Sequence, residues 1–289
     1  MSALDAFGPT SWQRPEIVDV GRLPARATCY PFPDDITAGG AREGSPWFLS
    51  LDGVWRVRRR ERPEDVVADD LSEATAASGW RDLQIPGVWT LAGLGDDPAY
   101  LNVVYPWDLD PPHGAGLEAP AVPEVNPTVV HRRSFDLPEG WETRRTVLHV
   151  GAALSGLYVF VNGQPVGMCK PGHLPSEFDV SSVIAPGGND VALVVTRWTD
   201  ASWIEDQDQW WHAGLPREVF LISTGPVHLA DVATAADVVD GSGYLDIRAR
   251  VGSPGRLAPG WSVEAEVEAM AAAPVAVTTD SVLRVEVPV

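Results

Sequence analysis

The sequence predicts an all-β protein made of short strands, and three observations support this class. Glycine and proline are abundant, with 27 and 26 among 289 residues, as many strands joined by tight turns require. Short β-branched and aromatic runs recur between turn signals, around Val129, Thr146, Leu157, Val191 and Val219. No long segment has the apolar spacing of a helix. Together these features favour a β-sandwich of the jelly-roll type.

The N-terminal region is predicted to be an arm, followed by the first strand. Residues 1–32 are polar, interrupted by proline and without a clear apolar period, so we expect them on the surface, within an arm of residues 1–44. Further on, Trp55 and Val57 alternate with arginines, which is typical of a strand with one solvated face. The acidic stretch at residues 61–73 is expected to be a loop or a short helix.

The middle of the chain gives the clearest local signals. Residues 80–89 return to extended structure, and residues 106–127 carry six prolines, which indicate a long surface loop. Within residues 156–167, two apolar runs flank Asn162 and Gly163. Asn-Gly between apolar runs is the strongest short-range hairpin signal, so two paired strands are predicted here.

A domain boundary is predicted at Gly225-Pro226. The jelly-roll domain is therefore assigned to residues 45–225, and a second sandwich to residues 226–289. About 64 residues are fewer than the roughly 100 that a seven-stranded sandwich needs, so the second sandwich is expected to be incomplete. Its predicted strands lie at residues 227–238, 243–251 and 261–270.

Charge and composition disfavour several classes of partner. The 40 acidic and 21 basic residues give a net charge of −19, which repels phosphate backbones and anionic lipid surfaces. Nucleic acid and membrane partners are therefore not expected. Cys29 and Cys169 have no metal-ligand spacing and are too few for a disulfide scaffold. Residues 1–12 lack the pattern of a secretory signal, and no apolar run reaches membrane-spanning length, so a cytoplasmic location is expected.

The stretch from Val191 to Phe220 is the first candidate functional segment. It joins a buried strand to a polar loop and then to another strand. Carboxylates accept hydrogen bonds from hydroxyl groups, and indole faces stack on sugar rings, so a mixture of the two favours sugar binding. The alternative is that the tryptophans belong to the core and the carboxylates are solvated. The segment holds four of each: Asp200, Glu205, Asp206, Asp208, Trp198, Trp203, Trp210 and Trp211.

The acidic loop also raises the question of catalysis. Retaining glycosidases need two carboxyl groups about 5 to 5.5 Å apart. Asp206 and Asp208 would share one side of an extended loop, so a catalytic pair is conceivable. A solvated or hydrogen-bonded acidic loop explains the same residues without chemistry. We therefore assign no catalytic residue to this chain.

Several motifs, taken in order, give the chain a family resemblance. It resembles the N-terminal part of the β-galactosidases of glycoside hydrolase family 2, from about Arg22 to Asp237. The resemblance implies a galactose-binding-domain-like jelly roll, an immunoglobulin-like domain, and then a (β/α)₈ barrel with the catalytic glutamates. The barrel is expected to lie outside this sequence, so the chain alone should be inactive. The motifs are RLPARATCYPFPD (22–34), SPWFLSLDGVWRVR (45–58), YLNVVYPWD (100–108), EVNPTVVHRRSF (124–135), LPSEFDVS (174–181) and the segment from Val191 to Phe220.

The same resemblance implies two sugar-binding residues, Asn102 and Asp200, which would reach into the pocket of the barrel. An amide can donate to and accept from a pair of hydroxyls, and a carboxylate can accept from a hydroxyl or hold a cation. Asp200 also matches a sodium ligand of the family, whose full-length enzymes imply sodium and magnesium. One carboxylate is a weak metal site, so no cofactor is expected for this chain alone. Without the resemblance, Asn102 could as well satisfy backbone groups in a turn.

Neighbouring polar residues are assigned to structure. Arg197, Glu177 and Asp179 are expected to form ion pairs that fix the loop, and Glu205–Asp208 to brace it. The chain departs from the family pattern at Val129 and His131, where glycine and an aromatic residue are usual, and at Lys170–His173, which replaces a more polar connection.

Two functions follow from these observations. The first is the N-terminal sugar-binding portion of a β-galactosidase, which in its full-length form hydrolyses terminal non-reducing β-D-galactose residues and forms homo-oligomers, partly through the arm. The second is a free-standing, non-catalytic carbohydrate-binding or interaction module. Family members with glucuronidase or mannosidase activity share this N-terminal architecture, but the RWTDAS and EDQDQW motifs favour β-galactosides as ligands.

Overall fold

A computed structural model describes residues 2–72, 79–109, 116–170, 172–205, 207–240, 242–257, 259–267, 270–271, 275–276 and 280–287. The chain divides into two compact units. The first comprises Met1–Pro24 and Phe32–Ser223, and the second Ala25–Pro31 and Thr224–Val289. The all-β class is confirmed, because antiparallel sheets dominate both units and the α-helix found in the described residues, α1 (Asp35–Ala38), spans four residues.

Short strands joined by turns make up the first unit. In chain order they are β1 (Asp19–Val20), β2 (Phe48–Ser50), β3 (Gly53–Arg60), β4 (Arg81–Ile85), β5 (Gly87–Val88), β6 (Ala99–Tyr100), β7 (Thr128–Leu137), β8 (Arg145–Val150), β9 (Gly156–Val161), β10 (Gln164–Cys169), β11 (Ser176–Asp179), β12 (Gly187–Thr196), β13 (Trp210–Trp211), β14 (Gly214–Leu215) and β15 (Val219–Thr224). Short 3₁₀ turns lie at Ala3–Phe7, Ser11–Gln13, Arg42–Gly44, Pro63–Asp65, Ala68–Asp70, Trp89–Leu91, Pro106–Leu109 and Asp200–Trp203. None of the described helices is long and apolar enough to cross a membrane.

Two sheets pack face to face in this unit and form the predicted sandwich. The larger has the order β1-β10-β9-β12-β7-β3-β4, and the smaller β11-β8-β15-β2. Alternate residues of facing strands fill the space between them, among them Trp55 on β3, Leu193 on β12 and Phe178 on β11. Trp55 and Val57 are buried whereas Arg56 is exposed, so the predicted alternation of β3 is confirmed.

The turn between β9 and β10 is the predicted hairpin. Asn162 and Gly163 both have positive φ, 51° and 73°, which is the conformation that favours Asn-Gly in a two-residue hairpin loop. All of β9 is buried, as are residues Val191 to Thr196 of β12. The central strands therefore have no solvated face.

A second apolar cluster covers the outer face of the larger sheet. It joins Leu4 and Trp12 from the N-terminal segment and Trp107 from the long loop to Tyr158 and Val194 on the central strands. The prediction that residues 1–32 lie on the surface is therefore wrong for this part of the segment. The physical reason is that β9 and β12 are apolar on both faces, and the face away from the smaller sheet has to be covered.

Residues 25–31 belong to the second unit, where the amide of Ala27 donates a hydrogen bond to Asp231 Oδ1 at 2.8 Å. The strands of the second unit are β16 (His228–Val239), β17 (Ser242–Gly252), β18 (Ser262–Val263), β19 (Glu266–Val267), β20 (Met270–Ala271), β21 (Val275–Ala276) and β22 (Asp280–Val287). The main sheet has the order β16-β17-β22, while β18 pairs with β21 and β19 with β20. The predicted strands at 227–238 and 243–251 are confirmed, whereas 261–270 is divided among shorter strands. The immunoglobulin-like type stays a prediction.

Candidate functional site

Two loops at one end of the sandwich carry the predicted sugar-binding residues, and they contact each other. Strand β6 of the loop at residues 99–109 pairs with β13 of the loop at residues 199–212. The phenol of Tyr100 donates a hydrogen bond to Asp208 Oδ1 at 2.5 Å, and the phenol of Tyr105 donates to the carbonyl of Trp203 at 2.7 Å. Asn102 lies between these two tyrosines and is exposed. The loops that bear Asn102 and Asp200 are therefore held together on both sides of Asn102.

Asp200 is the first residue of the 3₁₀ turn that follows β12, and its carboxylate is hydrogen-bonded to a buried lysine. The amide of Thr199 donates to Ser202 Oγ at 3.1 Å and closes the first turn. Lys170 Nζ donates to Asp200 Oδ1 at 2.7 Å, and the two side chains are only 3% and 7% exposed. The same ammonium donates to the carbonyl of Arg14 at 2.8 Å, so the N-terminal segment also contributes to this cluster.

Arg197 has the predicted structural role at the end of β12. Its guanidinium forms an ion pair with Asp96 and lies 4.8 Å from the ring centre of Trp198. It also donates to the carbonyl of Asp97 at 3.1 Å, while Trp89 Nε1 donates to Asp96 Oδ2 at 2.8 Å. Burial lowers the pKa of Arg197 to about 10. The pair therefore ties the end of β12 to the loop that precedes β6.

The other predicted ion pairs form at a sheet edge. Glu177 accepts a hydrogen bond from His149 Nδ1 at 3.0 Å, and Asp179 pairs with Arg145 Nε at 2.8 Å. Both pairs join β11 to β8, which agrees with the structural assignment, but neither pair involves the loop at residues 199–212 that they were expected to fix.

The acidic loop braces its surroundings, as predicted. Glu205 Oε1 accepts a hydrogen bond from the amide of Gly172 at 3.2 Å, and burial raises the pKa of Glu205. Asp208 accepts from Tyr100, as described above. Asp206 lies outside the described residues, so the pair of Asp206 and Asp208 stays a hypothesis.

The four tryptophans of the segment divide between core and surface. Trp198 is buried, and Trp203 and Trp211 are half-buried in the second apolar cluster. Trp210 is 56% exposed and lies 5.6 Å, centre to centre, from the ring of Tyr100. The core interpretation is therefore right for Trp198, whereas the rings of Trp210 and Tyr100 are exposed.

A cavity of about 250 Å³ lies nearby, but it is not formed by the predicted residues. Its walls include Asp97, Pro106, Trp107, Arg197 and Trp198. The cavity is lined neither by Asn102 nor by Asp200.

The donor groups present do not fit a complete metal site. Across the described ranges, no three His, Cys, Asp or Glu side chains are placed to hold an ion together. Oδ1 of Asp200 accepts a hydrogen bond from the ammonium group of Lys170, so the carboxylate is already paired with one cationic group. The sodium implied for Asp200 and the magnesium of the full-length family therefore stay predictions.

Sequence reasoning missed Lys170, Asp96 and Tyr100, which hold the loops in place. A signal existed for Lys170 alone, because it is the single lysine of the chain.

Comparison with known proteins identifies the family of the two-sheet sandwich. Residues 48–225 match the family model described as glycosyl hydrolases family 2, sugar binding domain. The chain belongs to glycosyl hydrolase family 2. This confirms the resemblance of the motifs, and the family 2 sugar-binding domain coincides with the two-sheet sandwich that supports the loops described above.

The curated relatives are β-galactosidases. That of Priestia megaterium is 32% identical over 239 residues, covering 81% of this chain and 22% of the relative. That of Yersinia pestis (strain Angola) is 34% identical over 226 residues, covering 76% of this chain and 20% of the relative. The chain thus spans about a fifth of the length of these family 2 relatives.

Solved structures share the fold at lower identity. A β-glucuronidase from an uncultured Clostridium species superposes with a TM-score of 0.56 at 16% identity, covering 83% of this chain and 39% of that one. At this identity the likeness supports the family 2 fold alone.

Proposed function

We propose that this chain is the N-terminal sugar-binding portion of an enzyme that hydrolyses terminal non-reducing β-D-galactose residues. The observation that carries the proposal is the level of identity with β-galactosidases, 32–34% over about four fifths of the chain. The solved β-glucuronidases are 14–19% identical. We further assign the sandwich to the galactose-binding, jelly-roll type.

Within this proposal, Asn102 and Asp200 contact the sugar. Asn102 is exposed and can donate to and accept from neighbouring hydroxyls, and Asp200 can accept from a hydroxyl. The exposed rings of Tyr100 and Trp210 provide an apolar face beside them, which suits the C–H face of a pyranose. The catalytic glutamates would belong to the barrel, so the 289-residue chain alone should show no turnover.

A free-standing carbohydrate-binding module is the second candidate, and the exposed Tyr100–Trp210 pair favours it. The two candidates differ in the size of the native product. An antibody raised against this chain should detect a band far heavier than 31.1 kDa in a lysate of the source cells if the first proposal is right. A band at 31.1 kDa would favour the module.

Kinetics on the native product test the substrate and the residues together. We expect hydrolysis of o-nitrophenyl β-D-galactoside and not of the glucuronide. Asn102→Ala and Asp200→Ala should each lower kcat/KM about tenfold or more, because each removes a hydrogen bond to a hydroxyl. Gln207→Ala, an exposed change on the same loop, is the matched control and should have no effect. Preference for the glucuronide, or two alanine variants as active as the unaltered protein, would contradict the proposal.

Three further points are part of the proposal. The purified 289-residue chain should not hydrolyse the galactoside, and activity that disappeared in Asp206→Asn would show that the chain carries its own catalytic group. The cytoplasmic location can be checked by fractionating source cells. Homo-oligomerisation can be checked by the native mass of the full-length product.

A further inference from the structure

Lys170 is the single lysine of the chain, and it is buried, with 3% of the residue exposed. Burying an ammonium group is unfavourable unless the group is paired and hydrogen-bonded. Of the 21 basic residues, 20 are arginines, so basic positions in this chain are normally filled by arginine. The exception at residue 170 therefore calls for a local reason.

The surroundings of Lys170 supply that reason. The residue directly follows β10, and its backbone amide donates to the carbonyl of Val18 at 3.1 Å. Its Nζ donates to Asp200 Oδ1 at 2.7 Å and to the carbonyl of Arg14 at 2.8 Å. An ammonium is a compact group that can serve two acceptors lying in different directions, whereas the wider planar guanidinium requires more room.

The two carboxylate oxygens of Asp200 differ in their partners. Oδ1 accepts from Lys170, and in the described part of the chain no hydrogen bond reaches Oδ2. The carboxylate therefore cannot rotate without breaking a short charge-assisted hydrogen bond.

We propose that Lys170 is the positioning residue for Asp200, because it holds Oδ1 and so presents Oδ2 to a hydroxyl group of the bound sugar. This inference rests on the proposed function, since it assigns Asp200 to the sugar. It also gives the N-terminal segment a part in sugar recognition, through the carbonyl of Arg14.

A generic structural role makes different predictions, because any buried ion pair stabilises the fold against loss of one partner. The pair between Arg132 and Asp190 is a matched control. Its atoms are 2.6 Å apart, its side chains are 10% and 12% exposed, and it joins β7 to β12 within the sheet. Arg132→Met should lower the unfolding midpoint, as Lys170→Met should, but only Lys170→Met should affect the sugar.

The first experiment measures galactoside kinetics in the native product. Lys170→Met should raise KM and lower kcat/KM by about tenfold, as expected for the loss of one charge-assisted hydrogen bond, and Lys170→Arg should recover part of the loss. In an Asp200→Ala background the same change should add less than about twofold, because the two residues act as a unit. The proposal would be overturned if kcat/KM of Lys170→Met stayed within about twofold of the unaltered value, or if Arg132→Met lowered kcat/KM equally. Full additivity of Lys170→Met and Asp200→Ala would also overturn it.

The second experiment uses the 289-residue chain and leaves Lys170 unchanged, so it does not depend on whether a variant at position 170 folds. A chain labelled with [ζ-¹⁵N]lysine should give one ammonium signal whose protons exchange slowly with water. The signal should exchange rapidly in Asp200→Ala and stay slow in Arg132→Met. Exchange as fast as in free lysine in the unaltered chain would overturn the proposal.

The kinetic results distinguish the proposed function from the positioning role of Lys170. A native product that does not hydrolyse the galactoside contradicts the proposed function, and the positioning role with it. A product that hydrolyses the galactoside and depends on Asp200, but is insensitive to Lys170→Met, contradicts only the role of Lys170.

Discussion

A buried histidine should make the stability of the first unit depend on pH. His131 on β7 is fully buried, its Nδ1 donates to the carbonyl of Leu193 at 3.1 Å, and its Nε2 has no hydrogen-bond partner among the described residues. Burial lowers the pKa of His131 to about 4. The imidazole is therefore neutral in the folded protein, and protonation would place an unpaired charge between the sheets.

The direction and size of the effect follow from the two pKa values. Between pH 6.5 and about 4, the unfolded chain binds a proton at this residue and the folded chain does not. The contribution of His131 to stability is therefore complete above pH 6.5 and is lost as the pH falls through this window. The pKa difference of about 2.5 corresponds to about 3 kcal/mol.

Urea unfolding at about pH 7.5 and about pH 4.5 measures this loss. Tryptophan fluorescence reports mainly on the first unit, because Trp261 is the one tryptophan of the second. His131→Asn keeps an amide donor near the position of Nδ1 but does not titrate, so its free energy of unfolding should fall by about 2.5 kcal/mol less than that of the unaltered chain between the two pH values. His173→Asn, at an exposed histidine, should keep the original pH dependence. Equal pH dependence in the unaltered chain and His131→Asn would refute the reasoning.

Three further predictions concern packing, thiols and charge. Gly167→Ala should destabilise the first unit by several kcal/mol in urea unfolding, because an added Cβ would lie 2.5 Å from a backbone oxygen of β1 and 2.6 Å from a phenylalanine ring; Gly188→Ala, with nothing nearer than 3.7 Å, should cost less than about 1 kcal/mol. A thiol reagent should modify half-buried Cys29 in the native chain and both thiols only in denaturant, because burial raises the pKa of Cys169 to about 11; reaction of Cys169 in the native chain would contradict this. Arg197→Met should lower the free energy of unfolding by about 3 to 5 kcal/mol, because it removes the charge partner of the nearly buried Asp96 carboxylate, which keeps the hydrogen bond from Trp89; a loss below about 1 kcal/mol would contradict the burial argument.

Local patterns in the sequence predict the parts of the fold that depend on neighbouring residues. Trp55 and Val57 alternate with arginines because β3 has one buried face, and Asn162-Gly163 matches the positive φ values that the hairpin needs. The N-terminal segment was misassigned for the opposite reason. Leu4 and Phe7 are buried within one 3₁₀ turn of five residues, which is too short to show an apolar period, and their burial depends on an apolar sheet face far away in the sequence.

The sequence predicts which segments carry the candidate site, but not how their side chains are arranged. Trp198 and Trp210 are the same residue type within the segment from Val191 to Phe220, yet one is core and the other is exposed, because only the fold decides which ring meets the sheet. The contact between Lys170 and Asp200 spans 30 residues and follows no motif, so no local pattern indicates it.

Burial of the central strands on both faces has a consequence for how new specificities could arise or be engineered. Residues Val191 to Thr196 have no open face, so a ligand meets this part of the sheet only at the strand ends, where the loops at 99–109 and 199–212 join each other. Changes confined to those loops leave the packing between the sheets untouched. The two loops would therefore have to be grafted together between sandwiches of related enzymes, because grafting either loop alone would break the β6–β13 pairing. Lys170, which holds Asp200 from outside the loops, would have to be transferred with them.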